Sequence, residues 1–185
     1  YNCVKTIIVG NANNTLKDLC KAKGIKLVEL LNQYDFVIEN AKLTSMGIID
    51  FLQRKNLAIN DFKIIILGYG NIGYTFAELL EAYGSDFSIY PSNEVEEKYV
   101  HLRGFKVADW KNFDVVVNTI PANLDFDYHI FKDKKIIDVA SAPYGFDIDK
   151  IEEYGISYEI YGAIPSKFAY VSAANIIKKN IEKYL

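Results

Sequence analysis

The chain is poor in the residues that build metal centres and acid–base relays: two cysteines and two histidines in 185 residues. Cys3 and Cys20 share no metal-ligand spacing and have no histidine nearby, so they read as buried or idle thiols and no metal site is expected. Excess charge of either sign is also missing. The net charge of −3 comes from 24 acids and 21 bases mixed along the chain, with no basic stripe to face a nucleic acid. No apolar run exceeds strand length, which excludes the roughly 20-residue stretch of a spanning helix. No signal-peptide pattern opens the chain, so a cytoplasmic setting is the expectation. No solenoid-length repeat or low-complexity tract is found. The chain begins at Tyr1 without a methionine, which reads as a piece of a longer protein.

What is there is core-forming material. Half the residues are hydrophobic, with 14 Tyr and 11 Phe, enough to exclude global disorder and to fill one full domain plus part of a second. Short β-branched runs alternate with amphipathic segments, the pattern of an α/β fold built from βαβ units. In the first sixty residues "VKTIIVG", "IKLVEL" and the shorter "YDFVI" read as strands, and a helix is predicted from about Asn40 through "AKLTSMGIIDFLQRKN". Six further strand-like runs follow between Phe62 and Gly162: "FKIIILG", "FSIY", "FKVAD", "FDVVVNTI", "KKIIDVA" and "ISYEIYG". The expected architecture is a Rossmann-type doubly wound parallel sheet with a partial second α/β domain at the N-terminus. Residues 1–58 form the partial domain and connecting helix, 59–166 the dinucleotide-binding domain, and 167–185 a C-terminal helix.

The strongest chemical signal is "ILGYGNIGYTF". Gly68, Gly70 and Gly73 form G-x-G-x-x-G between a strand and an amphipathic helix, the context that gives this spacing meaning. The first glycine permits the tight turn, the second the close approach of a pyrophosphate, and the third the packing of helix on strand. The loop Gly68, Tyr69, Gly70, Asn71, Ile72 and Gly73 is therefore the candidate phosphate cradle, facing the free N–H groups of a helix start. Two further turns lie just past buried strands, where ligands of parallel sheets sit. In "VVNTIPA", Asn118 and Thr119 offer polar contacts to a ribose or nicotinamide, beside Ile120 and Pro121; an ordinary strand-ending turn is the competing reading. In "IIDVASAPYGFD", Ala140 and Ser141 leave room for a nicotinamide, and Asp138 is either a site acid or a brace for its loop. Ser166 and Lys167 precede the last helix, where Lys167 either meets a substrate carboxylate or is a solvated surface lysine.

One expected residue is missing. The strand "FSIY" should end on an acid that binds the adenosine ribose and repels the 2′-phosphate of NADP. Here the position falls on Tyr90 or Pro91, followed by Ser92 and Asn93, with Glu94 three residues beyond. The absence favours NADP as cofactor, with NAD the alternative. Ser92 and Asn93 are candidate contacts to it, and Lys98 or Arg103 the available cations.

In this order and spacing, "ILGYGNIGYTFAELLEAYG", "VVNTIPANL", "IIDVASAPYGFD" and "YGAIPSKFAYVSAANII" resemble the A-subunit family of dipicolinate synthase, within the formate and glycerate dehydrogenase-like Rossmann proteins. The resemblance implies NADP-dependent oxidation of a dihydrodipicolinate to dipicolinate during spore formation, working with a flavoprotein-like B subunit. It carries over at Gly68, Gly70, Gly73, Asn118 to Pro121, Asp138, Ala140, Ser141, Pro143 and Gly145. The sequence departs from the family at three cationic places, now Ser92, Ala142 and Val171, and carries only part of the family's first domain. On this reading nicotinamide lies over the strand ends bearing Thr119 and Ser141, with the small-molecule substrate towards Thr44, Ser45, Ser166 and Lys167. His101 and His129 read as surface residues. A non-catalytic homologue that binds a dinucleotide or a partner is the alternative, and homo-oligomerisation stays open.

Overall fold

A computed structural model describes residues 4–184; Cys3 and the chain end at Leu185 lie outside them. The chain begins with β1 (Thr6–Val9), α1 (Asn14–Lys23) and β2 (Lys26–Glu29), a small parallel β-α-β piece. Asn13 caps α1 by accepting the Leu16 N–H at 2.9 Å, and Gly24 ends it in the left-handed region. The long helix α2 (Tyr34–Arg54) then leads into the main sheet.

The main sheet is built from β3 (Ile64–Leu67), β4 (Phe87–Tyr90), β5 (Val115–Asn118), β6 (Lys135–Asp138) and β7 (Ser157–Ile160), all parallel, in the order β4-β3-β5-β6-β7. Between them run α3 (Asn71–Ala82), α4 (Glu94–Leu102) and α5 (Ile148–Glu153), and the chain closes with α6 (Ile164–Phe168) and α7 (Tyr170–Glu182). Alternation along the strands divides the core in two. Ile64, Ile66, Val115, Val117 and Ile137 face the layer of α2 and α3, where Phe76 and Leu80 are fully buried. Ile65, Leu67, Val116 and Ile136 face an aromatic layer of Phe113, Tyr128, Phe131 and Phe146. Burying each such large side chain contributes about 1.5–3 kcal/mol.

Two expected strands are not strands. "YDFVI" is the first turn and a half of α2. A short apolar run does not by itself distinguish strand from helix, and here Phe36, Ala41, Leu43 and Gly47 continue a buried helical face. Pairs to α7, Lys183 with Asp35 and Lys179 with Glu39, hold the outer side. "FKVAD" contributes only a single parallel bridge, Val107 to Ile89, with Ile89 N–H donating to Lys106 O and Ala108 N–H to Ile89 O. With that bridge counted as a vestigial strand, the order is the 3-2-1-4-5-6 of doubly wound nucleotide-binding folds. α6 and α7 pack on α2, where a Cβ built on Gly47 would stand 2.3 Å from Ile164 Cγ2.

Candidate functional site

The strand order reverses between β3 and β5, and in such sheets the crevice beyond the strand ends at that point is where ligands bind. A cavity of about 340 Å³ lies there, floored by Gly68, Gly70, Asn71 and Ile72, with Thr119, Ile120 and Ser141 on one side. Glu96 of α4 lines it as well, with Leu31 before α2 and Val37, Asn40 and Ala41 of α2.

The glycine loop has the geometry its spacing implies. Gly68 has φ +89°, and a Cβ there would meet Ile120 and Thr119 side-chain atoms at 2.8 Å. A Cβ on Gly73 would stand 2.1 Å from Gly68 O, so only glycine lets α3 start this close to β3. Gly70 is different: the nearest atom to an added Cβ is Glu96 Oε1 at 4.0 Å. Nothing in the fold requires a glycine at 70 for space, so its open backbone is available to a ligand. It stands at the N-cap of α3 with no side-chain cap bond, leaving first-turn N–H groups toward the cavity. The Tyr69 side chain points away and packs edge-on against Tyr74 and Phe105. Burial pushes its phenol up to about 12.

The other two loops spend their polar groups on themselves. Asn118 is fully buried; its Oδ1 accepts the Ile120 N–H at 3.0 Å and its Nδ2 donates to Ile120 O at 3.1 Å. Thr119 Oγ1 donates to Leu67 O at 2.7 Å, tying the turn to the end of β3. Asp138, also fully buried, accepts from Ala140 N at 3.0 Å, Gly145 N at 2.9 Å and the Tyr158 hydroxyl at 3.0 Å. Asp138 is thus the brace of its loop. Burial, with the adjacent Asp138 carboxylate second, pushes the Tyr158 phenol well above its ordinary value. Ala140 is buried and Pro121 exposed, and of the loop after β6 it is Ser141 that reaches the cavity.

Several sequence candidates lie elsewhere. Thr44 and Ser45 are buried rather than turned to the cleft. Thr44 donates to Asn40 O at 2.8 Å, and Ser45 pairs with Thr75 Oγ1 at 2.8 Å where α2 crosses α3. Both satisfy buried hydroxyls at a helix contact, and the cavity wall is made one turn earlier by Asn40 and Ala41. Ser166 bonds back to Ala163 O at 2.9 Å, and Lys167 Nζ sits 5.3 Å over the Tyr161 ring, outside the cavity. Asn93 caps α4 through the Val95 and Glu96 N–H groups, both at 3.0 Å, and Ser92 Oγ accepts from Asn93 Nδ2 at 3.0 Å. His101 and His129 are exposed and away from the cavity.

Sequence reasoning passed over Glu96. Its Oε2 accepts the Tyr69 N–H at 2.8 Å and the Ser92 N–H at 2.7 Å, joining the glycine loop to the chain after β4. The signal was present: Asn93 followed three residues later by Glu96 is a capping-box spacing, which turns the acid back toward the strand end.

Fold and site together define a Rossmann-like α/β protein. No protein-family model matches the chain. In sequence it is 26% identical over 195 residues to the A subunit of dipicolinate synthase from Bacillus subtilis (strain 168), covering 100% of this chain and 65% of that relative. The sequence match marks it as a homologue of that protein. The crystal structure of the Bacillus subtilis dipicolinate synthase A chain superposes with a TM-score of 0.82 at 24% identity, over 96% of this chain and 63% of that one. The chain thus spans about two thirds or slightly less of these relatives' length. The fold is shared more distantly with Lactobacillus jensenii D-lactate dehydrogenase, solved with NAD+, at TM-score 0.56 and 16% identity over 96% of this chain and 74% of that one.

Proposed function

We propose that the chain is a nicotinamide-dinucleotide oxidoreductase, similar to the A subunit of dipicolinate synthase, that oxidises a dihydrodipicolinate-like cyclic dicarboxylate. The observation that carries this is the glycine turn. Gly68 and Gly73 are required by the packing, Gly70 is not, and Gly70 opens the cavity at the start of α3. That combination fits a backbone kept bare for a pyrophosphate. When bound, the nicotinamide supplies a two-electron hydride acceptor. The protein's own contribution is placement. The Thr119 oxygen retains lone pairs after its bond to Leu67, the Ser141 hydroxyl reaches the same space, and Leu31, Val37 and Ala41 exclude water from one wall. The ring that gives up a hydride and a proton becomes aromatic, so the reaction is driven by its product and a strong base is dispensable.

A specific observation favours a second reading. Among the cavity-lining residues Glu96 alone is titratable, and it is held by two backbone N–H groups. A homologue that binds a dinucleotide or a flavoprotein-like B partner without turning over substrate would also have such a site. Two measurements separate the readings: calorimetric titration with each dinucleotide, and absorbance at the reduced nicotinamide band with dihydrodipicolinate, with and without the B partner. Dinucleotide binding with turnover supports the oxidoreductase, dinucleotide binding without turnover supports the second reading, and no dinucleotide binding refutes the oxidoreductase and leaves only the partner-binding form of the second.

A further inference from the structure

We infer that Glu96 is the acid that grips the adenosine ribose, delivered from the first turn of α4 instead of the end of β4, and that the site therefore takes NAD in preference to NADP. The inference rests on the dinucleotide reading above and sharpens it at one end of the cavity. The position expected to carry this acid holds Tyr90 and Pro91, which made NADP the sequence's favoured cofactor. The structure restores a carboxylate to the same space by another route.

Three observations carry it. First, Glu96 lines the cavity together with Gly68 and Gly70 and is half-buried. Second, both of its hydrogen bonds go to Oε2. Oε1 has no protein partner among the described residues and lies within 4.0 Å of where a Gly70 Cβ would be, so it faces the glycine turn as a free acceptor. Capping at the start of α4 turns the carboxylate back toward the strand end, where it accepts the Ser92 N–H, one residue before the Asn93 cap. It does not account for the bond from Tyr69, 27 residues away, which places the carboxylate against the phosphate-binding loop. Third, the cations that a 2′-phosphate would require are elsewhere. Arg103 is committed to Glu78 and Glu81 at 2.6 and 3.1 Å on the outer side of α3 and stacks on Phe105. Lys98 is exposed on α4 and is not among the residues lining the cavity.

A ribose 2′-hydroxyl donates a hydrogen bond to a carboxylate oxygen, whereas a 2′-phosphate brings like charge to it. The test is calorimetric titration of the chain with NADH and with NADPH, repeated on Glu96→Gln, whose amide oxygen still accepts the two N–H groups. Wild type is expected to bind NADH at least about tenfold more tightly than NADPH, a difference of roughly 1.4 kcal/mol. Glu96→Gln is expected to narrow the ratio mainly by improving NADPH binding, with the same melting temperature. In wild type, added salt should weaken discrimination by screening the repulsion. Equal or tighter binding of NADPH by wild type overturns the inference and leaves the dinucleotide reading intact. So does an unchanged ratio in a folded Glu96→Gln. Failure to bind either dinucleotide overturns both. The wild-type ratio decides the matter even if the variant does not fold.

Discussion

The loop after β3 and the loop after β6 look alike in sequence: each leaves a buried parallel strand through small residues into the same crevice. They are physical opposites. The β6 loop is braced from within, by Asp138 at the strand end accepting from two backbone N–H groups and a tyrosine hydroxyl. The β3 loop has no such internal brace, and its value lies in what it leaves bare at Gly70. A polar residue at a strand end is therefore a poor guide to a binding site until its partners are known, because burial forces it to be satisfied by the fold first. A glycine that packing does not require is the better guide.

The contrast can be broken from either side. The largest effect is expected on the braced loop. Asp138→Ala strands two buried backbone donors and the half-buried Tyr158 hydroxyl, at about 1–3 kcal/mol for each buried group, so stability measured by urea unfolding should fall by several kcal/mol. Next is Gly73→Ala, which forces a Cβ against Gly68 O at 2.1 Å. Overpacking of this kind costs about 1–3 kcal/mol, and the shift of α3 should also abolish detectable dinucleotide binding by calorimetry. Smaller still is Tyr158→Phe, which removes one of Asp138's three donors at about 1 kcal/mol while leaving dinucleotide affinity within a factor of two or so.

Tyr158 also gives a pH signature. Its folded-state phenol is raised above the ordinary value of 10.0 by burial first and the Asp138 carboxylate second. A group raised in the folded state contributes stability that is complete below its unfolded value and is lost as pH climbs beyond it. Tyr69, raised to about 12, acts in the same direction. Stability should therefore be flat through neutral pH and fall above about pH 10, with a shallower fall in Tyr158→Phe, as thermal melts across that range would record.

Much of the scaffold was legible because it is written in periodicity. β3, β5 and β6 are continuous Ile and Val runs, buried on both faces as parallel central strands require, and α3 lies between an obvious glycine turn and Gly84. The errors fell where tertiary contacts outvote local pattern. Phe36, Val37 and Ile38 look like a strand until α7 docks beside them, and Val107 pairs with Ile89 through a single bridge only. Thr44 and Ser45 resembled cleft residues because nothing in the sequence reports that α2 crosses α3 there, pairing Ser45 with Thr75. Glu96 is easily overlooked because a ribose-binding acid is expected at the end of β4, while this one arrives a helical turn later from an element whose start is marked by Asn93. The glycine loop lies between β3 and α3 as its spacing implied, and the structure adds which of its glycines packing requires.

That distinction gives the most direct measurement of the whole account: Gly70→Ala, assayed in parallel for thermal stability and for NADH binding. The added methyl meets no atom closer than 4.0 Å, so the melting temperature should stay within the small range of surface substitutions, about 0.5 kcal/mol. The same methyl intrudes where the pyrophosphate must approach, so affinity should drop at least about tenfold. An unchanged affinity in a stable Gly70→Ala protein would contradict the account, because the bare backbone at Gly70 would then serve no ligand.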